Sequence, residues 1–158
     1  MASTPERTVW RLTRPNYAPG LDGEGARLAG GRWNSPGRAV VYCSATLALA
    51  VLESFVHLPP ELRSTTRLPG MTAVKLQLPE STQITDIGEE PEARLFDAAA
   101  CRALGDQWLV AGATLVLSVP SAVVPEERNF LINPLHPQAA RIRVLAQDRF
   151  RFDPRMAR

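Results

Sequence analysis

Residues Ala39 to His57 read AVVYCSATLALAVLESFVH, which sets an apolar strand directly before an apolar helix. Ala39 to Cys43 is rich in β-branched and aromatic residues and follows the turn pair Pro36-Gly37, the pattern of a short buried strand. Ser44 suits a helix N-cap, because a serine hydroxyl accepts from a backbone N–H that the first helical turn leaves unpaired. The spacing predicts a helix over Ala45 to His57, made of strong helix formers and stopped before Pro59-Pro60. Leu47, Leu49, Val51, Leu52, Phe55 and Val56 leave no clear polar face, so the helix is expected inside the core.

One acid interrupts this run: Glu53 is the only charged residue from Ala39 to Val56. A carboxylate buried without a partner costs several kcal/mol, so its presence needs a cause. One cause is structural, an ion pair with an arginine or a helix edge that reaches solvent. The other is chemical, a carboxylate preorganised in a cleft to stabilise developing positive charge. Tyr42, just before the helix, reads either as core packing or as a ring that stacks on a flat ligand. His57 lies four residues after Glu53, on the same helical face, where it either caps carbonyls or lines the site.

Upstream, six of the ten glycines fall between Gly20 and Gly37, with Arg27, Arg32 and Arg38 in or beside the stretch. Glycine lets main-chain N–H groups approach an anion closely, so this segment reads as a loop able to cradle a pyrophosphate. A surface hairpin with its arginines in solvent is the competing reading. A dinucleotide fingerprint is disfavoured, since Leu28 stands where the third glycine of GxGxxG belongs.

Downstream, Thr72 to Leu78 alternates as a half-exposed strand, residues 79–91 read as a polar loop, and Glu92 to Leu104 has helical spacing closed by Gly105. Thr114 to Val119 reads as a strand stopped by Pro120, and Arg141 to Phe152 as a terminal strand or hairpin. Strands scattered among a few helices predict a single α+β domain over residues 1–158 with a mainly antiparallel sheet. Ser121 has no GxSxG elbow around it, so it fits a hydrogen-bonding role better than that of a hydrolase nucleophile. Asn129 and Asn133 read as turn terminators, and His136, between Pro134 and Pro137, as structural.

Composition narrows the classes. A chain of 158 residues with 45% apolar and 22% charged residues is ordinary for one globular domain. No apolar run is long enough to span a bilayer and Met1 to Arg7 lacks a signal-peptide core, so a cytoplasmic protein without a membrane partner is expected. Cys43 and Cys101 stand far apart with no CxxC or Cys/His cluster, which predicts two buried thiols and no metal site. A net charge of +2 is too small to argue for direct nucleic-acid binding. The basic residues are all arginine except Lys75, which suits phosphate recognition but also follows from GC-rich coding.

The stretches Gly30 to Gly37, Val41-Tyr42 through Leu52-Glu53, Gly105 to Leu109, Val119-Pro120-Ser121 and Asn129 to Pro137 resemble, in this order, the RES-domain family. That family is the toxin half of a bacterial toxin–antitoxin pair and is named for its Arg, Glu and Ser. The resemblance runs from Trp10-Arg11 to Phe152-Asp153; only the loop from Pro79 to Arg94 is unassigned. It implies a split-sheet fold similar to ADP-ribosyltransferases of the diphtheria-toxin type, with NAD as substrate and no metal. It further implies that Arg32 holds the NAD phosphates or ribose, Tyr42 packs on nicotinamide, and Glu53 stabilises the cationic sugar. Ser121 and Asn133 would hydrogen-bond the ligand; His57, from its place on the Glu53 face, joins them as a cofactor-binding candidate. The implied partner is a helix-turn-helix antitoxin that covers the active site, and the implied acceptors of ADP-ribose are water, phosphate or a protein side chain. Two readings without chemistry compete: a module that only binds a nucleotide or a partner, and a structural companion of a DNA-binding antitoxin. Glu53 discriminates, because a site that only binds polyphosphate gains little from a buried acid and loses by repulsion.

Overall fold

The computed structural model describes residues 7–88 and 97–158. Among these, seven strands and three α-helices run in the order β1 (Thr8–Thr13), α1 (Glu24–Ala29), β2 (Val41–Ser44), α2 (Leu47–Val56), β3 (Gly70–Gln77), β4 (Ile84–Asp86), α3 (Ala98–Ala111), β5 (Val116–Pro120), β6 (Arg128–Ile132) and β7 (Arg143–Arg151). The strands form one sheet ordered β4-β5-β6-β2-β1-β3-β7. Every neighbouring pair is antiparallel except β4 and β5. A parallel pair needs a long crossover, which α3 supplies between them.

The sheet divides where the site lies. β1 runs beside β3 from Thr8–Gln77 to Thr13–Thr72, yet β1 and β2 meet at a single register pair, Trp10 opposite Ser44. The halves β7-β3-β1 and β2-β6-β5-β4 therefore join at one point and splay beyond it, giving the mainly antiparallel, split α+β sheet that was expected. Three apolar clusters hold this arrangement. Val9, Val41, Val74, Leu76, Val116 and Ile132 span both halves. Cys101 and Trp108 of α3 pack on Leu117, Val119 and Leu131 together with Trp33. Val51 and Phe55 of α2 lie against Met71, Phe150 and Phe152.

Several elements differ from the sequence reading for identifiable reasons. α2 begins at Leu47, not Ala45, because Thr46 is its N-cap: its hydroxyl accepts from Leu49 N at 3.1 Å. Ser44 is instead taken by the ladder opposite Asn129. Nor is α2 enclosed; Leu49 and Ala50 are buried, whereas Leu52 and Val56 are 39% and 46% exposed. α3 starts after Asp97, whose carboxylate accepts from Ala99 N and Ala100 N, and it runs straight through Gly105 to the left-handed Gly112. Residues 92–96 of the expected helix lie outside the described residues. Gly105 is a contact point and not a cap, since a Cβ there would lie 1.7 Å from the Trp33 carbonyl oxygen. The glycine-rich loop contains helix α1 between Gly23 and Gly30, both at positive φ, and the loop after residue 79 contains β4. β1 and β6 were not anticipated from the sequence.

Candidate active site

A cleft of about 370 Å³ opens at the divergence of β1 and β2. Trp10 to Thr13 and Val41 to Ser44 form its walls, Gly30 to Trp33 one rim, and Glu53, Ser54 and His57 of α2 another. The α2 helix lies across the junction because its N-cap follows β2 after two residues, and its inward face turns Glu53 toward the gap.

Glu53 is 16% exposed, and one of its oxygens is doubly held. Oε1 accepts from the Ser121 hydroxyl at 2.5 Å and from Asn129 Nδ2 at 2.8 Å. Oε2 lies 3.8 Å from His57 Nδ1. The Ser121 proton has little choice of direction. Its Oγ already accepts from Val123 N at 3.1 Å and Val124 N at 3.0 Å, which uses both lone pairs and leaves the O–H for Glu53. Ser121 is 2% exposed and stands against the carboxylate, between Pro120 and Ala122, which line the cleft.

Asn129 was read as a turn residue, but it sits in β6 opposite Ser44, and the Ser44 hydroxyl donates to its Oδ1 at 2.7 Å. Only strand pairing could reveal this, since 85 positions separate the two residues.

Tyr42 shares a face of β2 with Ser44 by the two-residue period of a strand. Its hydroxyl donates to Asn34 Oδ1 at 2.7 Å and accepts from Trp33 N at 3.0 Å, while its ring lines the cleft. Burial pushes the phenol above its ordinary pKa, so it remains a neutral donor. Asn34 is fully buried and donates to the carbonyls of Ala26 at 2.9 Å and Arg38 at 3.0 Å. This knot closes the turn in which Gly31 bridges Asn34, and a Cβ on Gly31 would lie 2.7 Å from the Tyr42 hydroxyl.

Arg32 follows Gly31 and lines the cleft, with its guanidinium beside the buried Cys101 thiol. Burial pushes that thiol's pKa up, and Arg32 acts in the opposite direction. The other two arginines of the segment are engaged elsewhere: Arg27 pairs with Glu24 at 2.5 Å, and Arg38 lies 3.7 Å from Asp106. Asp106 also accepts from Ser35 N at 2.9 Å and so ties the Arg32 turn to α3.

A second cleft arginine was missed. Arg11 on β1 is 8% exposed, donates to the Gly20 carbonyl at 2.6 Å and faces the cleft, with its pKa lowered chiefly by burial. One arginine within the apolar pattern of Val9 to Leu12 was the available signal, once that stretch is read as a strand. His57 is the C-cap of α2, with Nδ1 2.6 Å from the Glu53 carbonyl oxygen, and lies at the cleft edge. Asn133 is not brought to the cleft: its Oδ1 accepts from Leu135 N at 3.0 Å and its Nδ2 donates to Leu109 O at 3.4 Å. His136 caps the short helix Pro137–Arg141. Among the described residues no His/Cys/Asp/Glu group could hold a metal ion, and no helix is long and apolar enough to cross a membrane.

A family model described as RES domain matches residues 8–153. The "Prs ADP-ribosylating toxin" of Sphingobium sp. (strain YBL2) is 37% identical over 161 residues, covering 96% of this chain and 97% of that protein. A "Toxin Res" of Pseudomonas putida is 33% identical over 143 residues, covering 89% and 93%. Among solved structures, the M. tuberculosis MbcT–MbcA toxin–antitoxin complex contains a chain of similar fold, with TM-score 0.70 and 17% identity over 96% of this chain and 87% of that one. The chain belongs to the RES domain family.

Proposed function

We propose that this protein is a toxin that breaks the bond between nicotinamide and ribose in NAD and passes ADP-ribose to an acceptor. The observation that carries the reading is Glu53, a carboxylate at the wall of a cleft also lined by two arginines, with one oxygen held by two neutral donors. Such a group is matched to a site where positive charge develops. Cleavage leaves the ribose C1′ as an oxocarbenium-like cation, and a preorganised carboxylate stabilises it without reorganising during the reaction. The electron pair of the broken bond goes to nicotinamide, which departs as a neutral molecule and needs no strong acid. The acceptor, whether water, phosphate or a protein side chain, attacks the cation and loses its proton.

In this reading Arg32 and Arg11 bind the pyrophosphate, where charge-assisted hydrogen bonds are the strong ones. The Tyr42 ring packs on nicotinamide, and His57 borders the mouth. Ser121 acts through Glu53. Asn133, engaged with Leu109 and Leu135, is assigned no ligand contact in this reading. The relative named as an ADP-ribosylating toxin supports the reaction class and leaves a protein acceptor in view. The fold neighbour, solved as a toxin–antitoxin complex, supports a separately encoded antitoxin, for which we propose a helix-turn-helix protein that covers the cleft in the cytoplasm.

A module that binds a nucleotide without chemistry is the alternative, and Glu53 argues against it because the acid repels phosphate. Incubation of purified protein with NAD, with all products identified by mass, decides between them. Nicotinamide release that disappears in Glu53→Gln supports the enzyme; NAD that is bound yet intact identifies the module.

A further inference from the structure

We infer that Asn129 is a positioning residue for the reaction proposed above, and that Ser44 acts through it by fixing the orientation of its amide. The inference rests on the reading of Glu53 as the catalytic carboxylate, and its own basis is the hydrogen bonding around Glu53, where Ser44 and Asn129 also line the cleft.

A carboxylate on a helix has several accessible rotamers, and its two oxygens are equivalent until something distinguishes them. Here both donors converge on Oε1: Ser121 Oγ at 2.5 Å and Asn129 Nδ2 at 2.8 Å. Oε2 is left as the oxygen that meets the sugar. Ser121 enforces its part alone, because its lone pairs are occupied by Val123 N and Val124 N. Asn129 cannot do the same. An amide can turn over, exchanging Nδ2 for Oδ1, and the turned form would set an oxygen against the Glu53 carboxylate.

Ser44 decides the orientation. It is 4% exposed, is held by pairing opposite Asn129 and Trp10, and donates its hydroxyl to Oδ1 at 2.7 Å. The line Ser44 to Asn129 to Glu53 thus runs in one donor direction and crosses from β2 to β6 to α2. It couples the carboxylate to the two strands at the sheet junction. Thr46 takes the helix cap that Ser44 would otherwise have filled, which leaves the Ser44 hydroxyl available for Asn129.

A positioning residue changes the rate of the chemical step and leaves ground-state binding of NAD nearly alone. Asn129→Ala should lower kcat about ten- to a hundredfold, the range for a lost hydrogen bond to a charged group, with KM for NAD changed less than about twofold. Asn129→Asp keeps the size and adds a second carboxylate against Oε1, so it should be worse than alanine even though it fills the site. Ser44→Ala should lower kcat by a smaller factor and add nothing further in the Asn129→Ala background, because both act along one line.

Wild type and Glu53→Gln are assayed beside these variants, and thermal melts establish that each is folded. A crystal structure of Asn129→Ala supplies a readout that does not depend on turnover: the Glu53 carboxylate should turn about its contact with Ser121 or become disordered. An Asn129→Ala protein with wild-type kcat, or with raised KM at unchanged kcat, or with Glu53 unmoved in the crystal, overturns the inference. Additive losses from Ser44→Ala and Asn129→Ala overturn the part assigned to Ser44. If wild type leaves NAD intact, the proposed function fails, while a displaced Glu53 in the variant crystal still supports the positioning itself.

Discussion

The Ser121 hydroxyl meets Glu53 Oε1 at 2.5 Å, although the two residues stand 68 positions apart in the chain. Each is fixed by its own element, Glu53 by α2 and Ser121 by the turn that follows β5, so the contact reports how these elements pack. Removing the charge and removing the support are therefore separable experiments. Glu53→Gln should fold like wild type and lose most NAD turnover, as measured by thermal melting and nicotinamide release. A variant that melts normally and still turns over NAD at a comparable rate would take the catalytic role from Glu53.

Arg32 and Arg38 provide a matched pair on one turn. Arg32 lines the cleft, whereas Arg38 is 48% exposed and lies near Asp106. Arg32→Ala should weaken NAD binding by about 1.5 to 3 kcal/mol, or roughly tenfold to more than a hundredfold in Kd, while Arg38→Ala changes it little. Calorimetry on the Glu53→Gln background measures this without turnover. Equal affinities for the two variants would remove Arg32 from the site.

Gly105 is the position where α3 and the Arg32 turn come closest. Because a Cβ would lie 1.7 Å from the Trp33 carbonyl oxygen and 2.7 Å from its carbon, Gly105→Ala must push backbone apart. The expected loss is about 3 kcal/mol or more, which for a chain of this size lowers Tm by roughly 6 to 12 °C. An unchanged Tm would show that the helix and the turn are not in contact.

Stability should fall on the alkaline side. Burial pushes the Cys43 thiol up to about 12 from 9.0 and raises the Tyr42 phenol above its 10.0. The unfolded chain loses these protons first, so it binds fewer protons than the folded chain as pH climbs past 9, and rising pH favours unfolding. The contribution is fully present below pH 9 and is lost as pH approaches the folded values. Urea midpoints measured from pH 8 to 11 should decline, and Cys43→Ala should decline less steeply than wild type. A flat profile for wild type would contradict the burial of these groups.

Expression tests the proposed regulation. The chain alone should arrest growth and lower cellular NAD, and co-expression of its cognate antitoxin should restore both. Arrest that persists in Glu53→Gln would point to a mechanism other than NAD consumption.

Local sequence already contained the elements whose causes are local: the strand before α2, the strand β3, though its first half is buried on both faces, the end of β5 at Pro120, the terminal strand β7, and Glu53 as an acid out of place. Of the residues proposed from the sequence, Arg32, Tyr42, Glu53, Ser121, Asn133 and His57, the cleft is lined by Arg32, Tyr42, Glu53 and His57. What local pattern could not decide was competition between equivalent residues. Ser44 and Thr46 are both good caps, and the choice fell to Thr46 because β6 pairs with Ser44. Gly105 looks like a helix end until Trp33 packs against it. Arg27, Arg32 and Arg38 are alike in sequence, and only folding sends one of them into the cleft. Asn129 and Arg11 gained their places from strand pairings between distant segments, and a hydrogen bond across 76 positions, such as Asn129 to Glu53, leaves no mark on its neighbours in the chain. The sequence determined which side chains were available; the meeting of β1 and β2 at one pair, with the sheet open beyond it, determined which of them face a common cleft.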